Sequence, residues 1–390
     1  MRPGGISASA IAAGLLAAFV GVASSFAVVV AGLLAAGASQ AQAASGLMAV
    51  SVAMGLAGIA LSLHSRMPIS AAWSTPGAAL LMTTGALPGG FGEAVGAFIV
   101  CSLLIVLAGL WRPLGRAVAA IPPALANAML AGVLLGLCLA PVRAVAQLPT
   151  LALPILLAWA LVARWRRLYA VSAAVLVAGL LIGATTHLPP GVLDAWLPHP
   201  LPVPPIFSIA GTVGVAVPLF LVTTASQNIP GIAVLGANGY RPEPGWLFTA
   251  TGLFGLVAAP FGSHAVNLAA ITAALCAGPD AHPDPGRRHW AAVVCGGGYV
   301  VFGLLAGAAT ALLAAAPAIL IQAVAGLALL GAFGNALMGA VADPRDREAA
   351  MITFLVAGSG LSFWSIGGAF WGLLAGGAVL GLARFGRAGE

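Results

Sequence analysis

Charge is scarce in this chain, and lysine is missing altogether. Charged residues make up 6% of its 390 residues, whereas hydrophobic residues make up 61%. A soluble domain of this size could not cover its surface with so few charges. Apolar stretches of about 15–25 residues, long enough to cross a bilayer as helices, follow one another with little interruption. Transmembrane barrels show short alternating segments instead. The composition therefore predicts an all-α polytopic membrane protein.

Signs of catalysis and of metal binding are also missing from the sequence. It holds neither an HExxH nor a GxSxG motif. The four cysteines lie in apolar stretches at unrelated spacings, which favours small buried side chains over zinc ligands. We therefore expect no enzyme activity, no cofactor and no metal. The net charge of +6 comes from arginines whose placement indicates membrane topology rather than nucleic-acid binding.

Hydropathy and turn signals predict about fourteen membrane spans. Several spans are short, notably the third and the tenth. A short span can combine an extended strand with a half-helix where protein covers the freed backbone groups. The predicted spans are approximately residues 8–36, 42–63, 67–86, 91–110, 120–140, 148–163, 168–186, 207–237, 245–259, 262–277, 289–314, 317–340, 348–363 and 365–384.

The arginines orient these spans in the membrane. If the N-terminus lies in the cytoplasm, fourteen of the fifteen arginines fall in cytoplasmic segments and Arg143 alone falls outside. An excess of arginine and lysine in cytoplasmic loops is the usual orienting signal of multi-pass proteins. We therefore expect both termini to lie in the cytoplasm.

Two stretches of the chain resemble each other. Residues 71–84 read AAWSTPGAALLMTT and residues 265–278 read AVNLAAITAALCAG, at an offset of 194 positions that recurs elsewhere in the chain. Because seven is an odd number, two repeats of seven spans must be inverted relative to each other. The sequence therefore predicts inverted-topology repeats over residues 1–200 and 201–390.

Few polar side chains lie inside the predicted spans, and most of them stand beside a Pro or Gly. Corresponding interrupted segments in two halves of a membrane protein indicate the substrate site of a transporter. The alternative for Ser24 and Ser25 is hydrogen bonding to the carbonyl one turn back in the helix. The predicted substrate-binding residues are Ser24 and Ser25 in span 1; Trp73, Ser74 and Thr75 in span 3; Ser226, Gln227 and Asn228 in span 8; and Phe261, Gly262, Ser263, His264 and Asn267 in span 10.

These residues favour a site for an anion and a proton. Half-helices that start at Pro76-Gly77 and after Pro260-Phe261-Gly262 would direct N–H donors and partial positive charge at one point, which suits a carboxylate. Trp73 and Phe261 would hold an apolar or aromatic body. His264 is the one ionisable side chain near mid-membrane, and we expect it to couple transport to protons, unless the proton joins the substrate directly. A neutral histidine hydrogen-bonded within the bundle is the alternative.

Three stretches of the chain resemble the benzoate/proton symporter family of bacterial inner membranes. They are RMPISAAWSTPGAAL (66–80), TASQNIPGIAVLGANGY (224–240) and APFGSHAVNLAAITAALCAGPDAHPDPGRR (259–288). The resemblance extends over essentially the whole chain, and the family is similar in architecture to nucleobase, ascorbate, sulfate and bicarbonate carriers with seven-plus-seven inverted repeats. It implies a core domain of spans 1–4 and 8–11 and a gate domain of spans 5–7 and 12–14. It also implies a substrate held between spans 3 and 10, with span 8 alongside.

One departure from the nucleobase carriers bears on the substrate. Those relatives use carboxylates in spans 8 and 10, where this chain has Ser226-Gln227-Asn228 and Ser263-His264. The absence of both carboxylates is consistent with an anionic substrate. The resemblance implies proton-coupled uptake of benzoate or a related aromatic carboxylate by alternating access across the bacterial inner membrane. The alternative is a carrier or anion exchanger of the same fold for another small organic anion. Lipid is an expected partner, nucleic acid is not, and the resemblance leaves a homodimer open.

Overall fold

The computed structural model describes residues 6–111, 113, 122–185, 197–363 and 366–387. Both ends of the chain lie outside the described residues, as do Arg2, Arg112 and Arg116, which contribute to the orientation argument. The cytoplasmic placement of the termini therefore stays a prediction.

The first half of the chain alternates long helices with one short strand. A capping box of Ser39 and Gln42 starts the third helix, which ends where Arg66 adopts a left-handed backbone conformation (φ 58°) and Pro68 prevents continuation. The elements are α1 (Ala8–Ala23), α2 (Phe26–Ala35), α3 (Gln40–Ser65), β1 (Ala71–Trp73), α4 (Thr75–Thr84), α5 (Gly90–Leu110), α6 (Pro123–Cys138), α7 (Ala140–Gln147), α8 (Pro149–Trp165) and α9 (Ala170–Thr185).

The second half repeats this alternation. Its first helix contains two π-helical segments, Thr212–Ala216 and Thr224–Asn228, and such segments are frequent at functional sites. The elements are α10 (Ile209–Ala237), α11 (Pro244–Ala258), β2 (Val266–Leu268), α12 (Ile271–Ala277), α13 (His289–Leu304), α14 (Ala306–Ala315), α15 (Ala318–Ala340), α16 (Arg347–Gly358), β3 (Ser362–Phe363), β4 (Ile366–Gly367) and α17 (Gly368–Arg387).

Helix lengths agree with a membrane protein that has both complete and broken spans. Within the described ranges, 8 helical stretches are long and apolar enough to cross a bilayer. Spans 3 and 10 each consist of a short strand followed by a half-helix, as the sequence predicts: β1 with α4, and β2 with α12. The count of fourteen spans stays a prediction.

The two short strands pair with each other and connect the broken spans. β1 and β2 are antiparallel, with Ala71 opposite Leu268 and Trp73 opposite Val266. Since each strand leads into its own half-helix, α4 and α12 run away from the strand pair in opposite directions. Strands of three residues extend for only about 10 Å, so the two helix starts lie close to each other.

The start of α12 corrects one expectation. The half-helix of span 10 begins at Ile271 rather than directly after Gly262. A short 3₁₀ turn, Ala259–Phe261, ends where Gly262 adopts a left-handed backbone conformation (φ 93°), and the chain then extends into β2. Pairing with β1 keeps this stretch out of a helix. At its other end α12 is held by Arg288, whose Nη1 donates to the Ala277 carbonyl at 2.8 Å.

Small residues let helices pack backbone to backbone. Gly55 of α3 and Gly296 of α13 face each other, and a Cβ on either would lie 2.5 Å from the carbonyl oxygen of the other. Helices in lipid associate through such close contacts, because no difference in hydrophobicity drives them together. α13 accordingly packs along α3 and α1, and α11 packs along α5 and α3.

A second group of helices is built around α6. This helix packs against α15, α16 and α17, while α8 packs against α9. The half-helix α4 contacts both groups, through α2 and α10 on one side and α6 on the other. The assignment of these groups to a core and a gate domain, and the repeat boundary at residue 200, stay predictions.

Candidate substrate-binding site

A cavity of about 70 Å³ lies where the paired strands meet the junction of α1 and α2. Residues from spans 1, 3, 8 and 10 surround it. Five of the predicted binding residues line it, namely Ser24, Ser25, Trp73, Thr75 and Gln227. The rest of its wall consists of Gly21, Met54, Ala72, residues 269–271, Thr272 and Tyr299.

A side-chain hydrogen bond holds the junction of α1 and α2 against β1. The indole Nε1 of Trp73 donates to Ser25 Oγ at 2.8 Å, and the Trp73 side chain is only 2% exposed. Ser24 and Ser25 donate in turn to the carbonyl of Gly21, at 3.1 and 3.3 Å. Both serines therefore bond back to their own helix and also line the cavity. Each would have to release the Gly21 carbonyl in order to donate to an anion.

The start of α4 presents one residue to the cavity as a donor. Ser74 caps the helix, since its Oγ accepts the Gly77 N–H at 3.1 Å. Pro76 carries no N–H. Among the first three residues of α4, Thr75 is therefore the one whose backbone and hydroxyl can donate, and Thr75 lines the cavity.

The start of α12 carries no side-chain cap. Its N-cap position is Ala270, which makes no capping hydrogen bond, whereas the Ala274 N–H bonds to the Ala270 carbonyl at 3.0 Å. Residues 269–271 form part of the cavity wall. Backbone at this end of the cavity can therefore donate to a ligand without displacing a capping side chain.

A buried polar network connects the three spans behind the cavity. His264 Nε2 lies 3.0 Å from the Ser74 carbonyl, and the Thr223 hydroxyl donates to Ser74 Oγ at 2.7 Å. All three side chains are fully buried. Because a carbonyl can only accept, Nε2 carries the proton in the neutral ring, as assigned from this hydrogen bond. The Nδ1 atom then has a free lone pair and no partner among the described residues.

Of the other predicted residues, Asn228 joins span 8 to span 10, whereas Ser226 and Asn267 bond within their own spans. Asn228 Oδ1 accepts the Leu268 N–H at 2.8 Å, at the end of β2. Ser226 donates back to the Val222 carbonyl. Asn267 Nδ2 donates to the Leu268 carbonyl at 2.8 Å. In the part of the chain that the structure covers, Asn228 Nδ2, Ser263 Oγ and Asn267 Oδ1 are buried without a partner. The wall of the cavity does not include Ser74, Ser226, Asn228, Ser263, His264 or Asn267.

Phe261 lies away from Trp73. It lines a separate apolar groove of about 520 Å³ between α3 and α11, together with Met48 and Val257. Gly262 lies against Gly46 of α3, where a Cβ would come within 3.2 Å of the Gly46 Cα. The extended stretch that precedes α12 separates this turn from the cavity, so Trp73 lines the cavity and Phe261 does not.

The predicted binding residues leave out eight residues of the wall: Gly21, Met54, Ala72, residues 269–271, Thr272 and Tyr299. Thr272 belongs to the repeated stretch 265–278, so the repeat itself is a signal for it. Tyr299 lies in α13, in the apolar run VVCGGGYVVFG, where a lone hydroxyl among glycines is the only indication. Within the described residues, no three His, Cys, Asp or Glu side chains come together as a metal site.

Sequence comparison relates the chain to membrane transporters. The profile of a family described as BenE, benzoate membrane transport protein, matches residues 4–382. The inner membrane protein YdcO of Escherichia coli is 43% identical over 380 residues, which covers 97% of this chain and 96% of that protein. The benzoate membrane transport protein of Acinetobacter baylyi is 33% identical over 333 residues, which covers 84% of this chain and 83% of that protein.

Two solved structures share the fold at low sequence identity. The transmembrane domain of the bicarbonate transporter BicA from a cyanobacterium matches with a TM-score of 0.61 at 15% identity, covering 95% of this chain and 97% of that one. SLC26A9 matches with a TM-score of 0.62 at 14% identity, covering 97% of this chain and 66% of that one, slightly under two thirds of its length. The expected fold class, a polytopic α-helical membrane protein with inverted repeats, is thereby confirmed.

Proposed function

The chain belongs to the benzoate membrane transport protein family, and on that premise we propose that it carries benzoate or a related aromatic carboxylate into the cell together with a proton. One observation supports this most directly. The cavity between the broken spans joins an aromatic side chain, Trp73, to neutral hydrogen-bonding groups, and none of its described lining residues is Asp or Glu. A site without carboxylates does not repel an anion.

In the proposed complex, neutral donors hold the carboxylate. Thr75 at the start of α4 and the amide of Gln227 line the same cavity, together with the uncapped backbone of Ala270 and Ile271. Ser24 adds a donor if its hydroxyl leaves the Gly21 carbonyl. Hydrogen bonds to an ionised group are stronger than those between neutral groups. These donors therefore favour the ionised carboxylate over a neutral analogue of the same shape.

The aromatic ring would lie against Trp73 and Met54. The cavity volume of about 70 Å³ is roughly half of the ~150 Å³ cavity that holds benzene in another protein. Binding of benzoate therefore requires the cavity to widen. None of its described lining residues lies on the helices around α6, so the elements that line it must themselves move apart. Alternating access needs, in addition, a movement of the two groups of helices relative to each other. We propose that the core and gate domains are the two parts that move.

His264 is the proposed proton acceptor. Its Nε2–H is engaged with the Ser74 carbonyl, so the unpartnered Nδ1 is the atom that can take up a proton. The resulting positive charge would lie behind the cavity, next to Ser74, the residue that precedes the cavity-lining Thr75 at the start of α4. The pair would be nearly neutral, and moving it across the membrane would cost far less than moving a bare anion. The proposed carrier lies in the bacterial inner membrane, with both termini in the cytoplasm.

A carrier or exchanger for a smaller organic anion is the second candidate. The cavity volume favours it, because a small carboxylate would need less widening than benzoate does. Exchange differs from symport in its driving force, because an exchanger needs a second anion on the opposite side of the membrane and no proton gradient.

A ligand panel tests the substrate. Isothermal titration of the detergent-purified protein with benzoate, benzamide, acetate, sulfate and uracil avoids the passive leak of neutral benzoic acid that complicates flux assays. We expect saturable binding of benzoate, weaker binding of acetate, and none of benzamide, sulfate or uracil. Gln227→Leu should weaken benzoate binding about tenfold, as expected for a lost hydrogen bond to a charged group.

Gln322→Leu is the matched control for this panel, because Gln322 is also partly buried but lies on α15 and does not line the cavity. Equal loss of affinity in both variants would contradict the site. Tighter binding of acetate than of benzoate would replace the aromatic substrate by a small organic anion.

A further inference from the structure

The hydroxyl of Tyr299 is a buried polar group that the proposed site does not use. Tyr299 lies in the middle of α13 (His289–Leu304), and its side chain is 1% exposed. The hydroxyl oxygen has no hydrogen-bond partner among the described residues, although Thr272 and Cys295 lie near it. Buried polar groups in folded proteins are nearly always paired, so an unpaired hydroxyl needs an explanation.

The two polar side chains near this hydroxyl both interact with Ser70. The Thr272 hydroxyl is hydrogen-bonded to Ser70 at 2.7 Å, and the Cys295 thiol lies 3.9 Å from the same Ser70 hydroxyl. The Tyr299 hydroxyl is directed at α1, where a Cβ at Gly21 would overlap it. Only glycine leaves room for it at this position. The fold therefore keeps space for a hydroxyl that has no hydrogen-bond partner among the described residues.

The position of the hydroxyl relative to the cavity supplies the explanation. Tyr299 and Gly21 both line the cavity, beside Ser24, Trp73 and Thr272. A phenol hydroxyl can donate to a carboxylate while its ring remains packed in an apolar bundle. Unlike Ser24 and Ser25, which bond to the Gly21 carbonyl, Tyr299 can donate without first breaking a bond within the protein.

We propose that Tyr299 is a substrate-binding residue whose hydroxyl donates a hydrogen bond to the substrate carboxylate and selects ionised acids over neutral analogues. The assignment rests on the proposed function and deepens it, since it names the chemical group of the substrate that α13 recognises. It also explains why a site formed by broken spans includes a residue from an unbroken neighbouring helix.

The test compares Tyr299→Phe with the unaltered protein by isothermal titration with benzoate and with benzamide. The phenylalanine ring fills the same space, so only the hydroxyl is lost. We expect benzoate to bind about 10- to 100-fold more weakly, the range for a hydrogen bond to a charged group. The melting temperature without ligand should stay the same or rise, because an unpaired buried hydroxyl is removed.

Tyr169→Phe is the matched control, since Tyr169 is 38% exposed and lies in the turn before α9, away from the cavity. Gly21→Ala is the second variant: its methyl group displaces the hydroxyl while Tyr299 remains in the chain, and it should weaken benzoate binding as Tyr299→Phe does. Unchanged benzoate affinity in Tyr299→Phe would overturn the role of Tyr299 and leave the proposed function intact. Failure of the unaltered protein to bind benzoate would overturn both.

Discussion

Ser74 of span 3 is hydrogen-bonded to residues of both span 8 and span 10. Its Oγ accepts the Gly77 N–H and the Thr223 hydroxyl, and its carbonyl accepts from His264 Nε2. The residue therefore caps α4 and holds spans 8 and 10 in position at the same time. A change in the charge of His264 would act directly on the start of the half-helix that faces the substrate.

His264→Gln separates the structural role of this histidine from its role in proton coupling. A glutamine amide can still donate to the Ser74 carbonyl but cannot take up a proton between about pH 6 and pH 8. The unaltered protein should bind benzoate more tightly when the His264 ring is protonated. Its benzoate affinity should therefore rise as pH falls, by up to about tenfold per pH unit above the pKa of His264. In His264→Gln, benzoate affinity should be constant over this range. Titration calorimetry at several pH values measures both curves.

His64→Gln is the control for that experiment, because His64 lies near the end of α3 and stacks on Trp246, away from the cavity. It should retain the pH dependence of the unaltered protein. If His264→Gln retained it too, the proton would have to bind elsewhere, and His264 would be the neutral structural histidine that the sequence leaves as the alternative.

The sequence located the polar residues of the broken spans but not the direction in which each one faces. Trp73 and Thr75 face the cavity while Ser74, between them, faces the buried network. Ser74 is the N-cap of α4, so its side chain bonds to the Gly77 N–H instead of facing the cavity, and this requires the start of the helix to be known. The sequence did not indicate Tyr299, because its position at the cavity depends on the packing of α13 against α1, and no local sequence pattern predicts that packing.

The half-helix α4 depends on its cap. Ser74→Ala removes the acceptor of the Gly77 N–H and leaves the buried Thr223 hydroxyl without a partner. Loss of an N-cap costs about 1–2 kcal/mol, and an orphaned buried donor adds a similar amount. We expect the free energy of unfolding to fall by roughly 2–3 kcal/mol, measured by denaturant titration in detergent.

Ser51→Ala is the matched control for the cap. Ser51 is equally buried, but its hydroxyl donates only to the Leu47 carbonyl within α3, at 2.6 Å. Loss of such a back-bond costs little, about 0.5 kcal/mol or less. Similar destabilisation by the two substitutions would contradict a special role of Ser74 at the start of α4.

The repeated stretch predicted both broken spans, because a strand followed by a half-helix needs small residues and a Pro or Gly at fixed places. It did not predict where α12 starts. The Pro260-Phe261-Gly262 turn resembles a helix start, but pairing of residues 266–268 with β1 keeps the chain extended until Ile271. The π-helical segments around Gly214 and Gln227 likewise depend on packing and left no signal in the sequence.

For the molecule as a whole, hydropathy predicted a polytopic membrane protein, and the repeated stretch with its interrupted spans predicted the inverted repeats of a transporter. Composition is sufficient to predict the membrane helices because, in lipid, backbone N–H and C=O groups must be hydrogen-bonded within the protein and few charged side chains are tolerated. The size of the cavity was beyond prediction, since it depends on how closely helices such as α3 and α13 approach through Gly55 and Gly296. The small volume predicts that a ligand as large as benzoate can bind only if the elements that line the cavity move apart.

The central claim is that benzoate binds together with a proton in the cavity between the broken spans. Titration calorimetry of the unaltered protein with benzoate in two buffers of different ionisation enthalpy measures the protons taken up per ligand bound. At about pH 7.5, where an ordinary histidine is mostly neutral and benzoate is ionised, we predict uptake approaching about one proton per benzoate. Saturable benzoate binding with no proton uptake in either buffer, or no binding at all, would contradict the account.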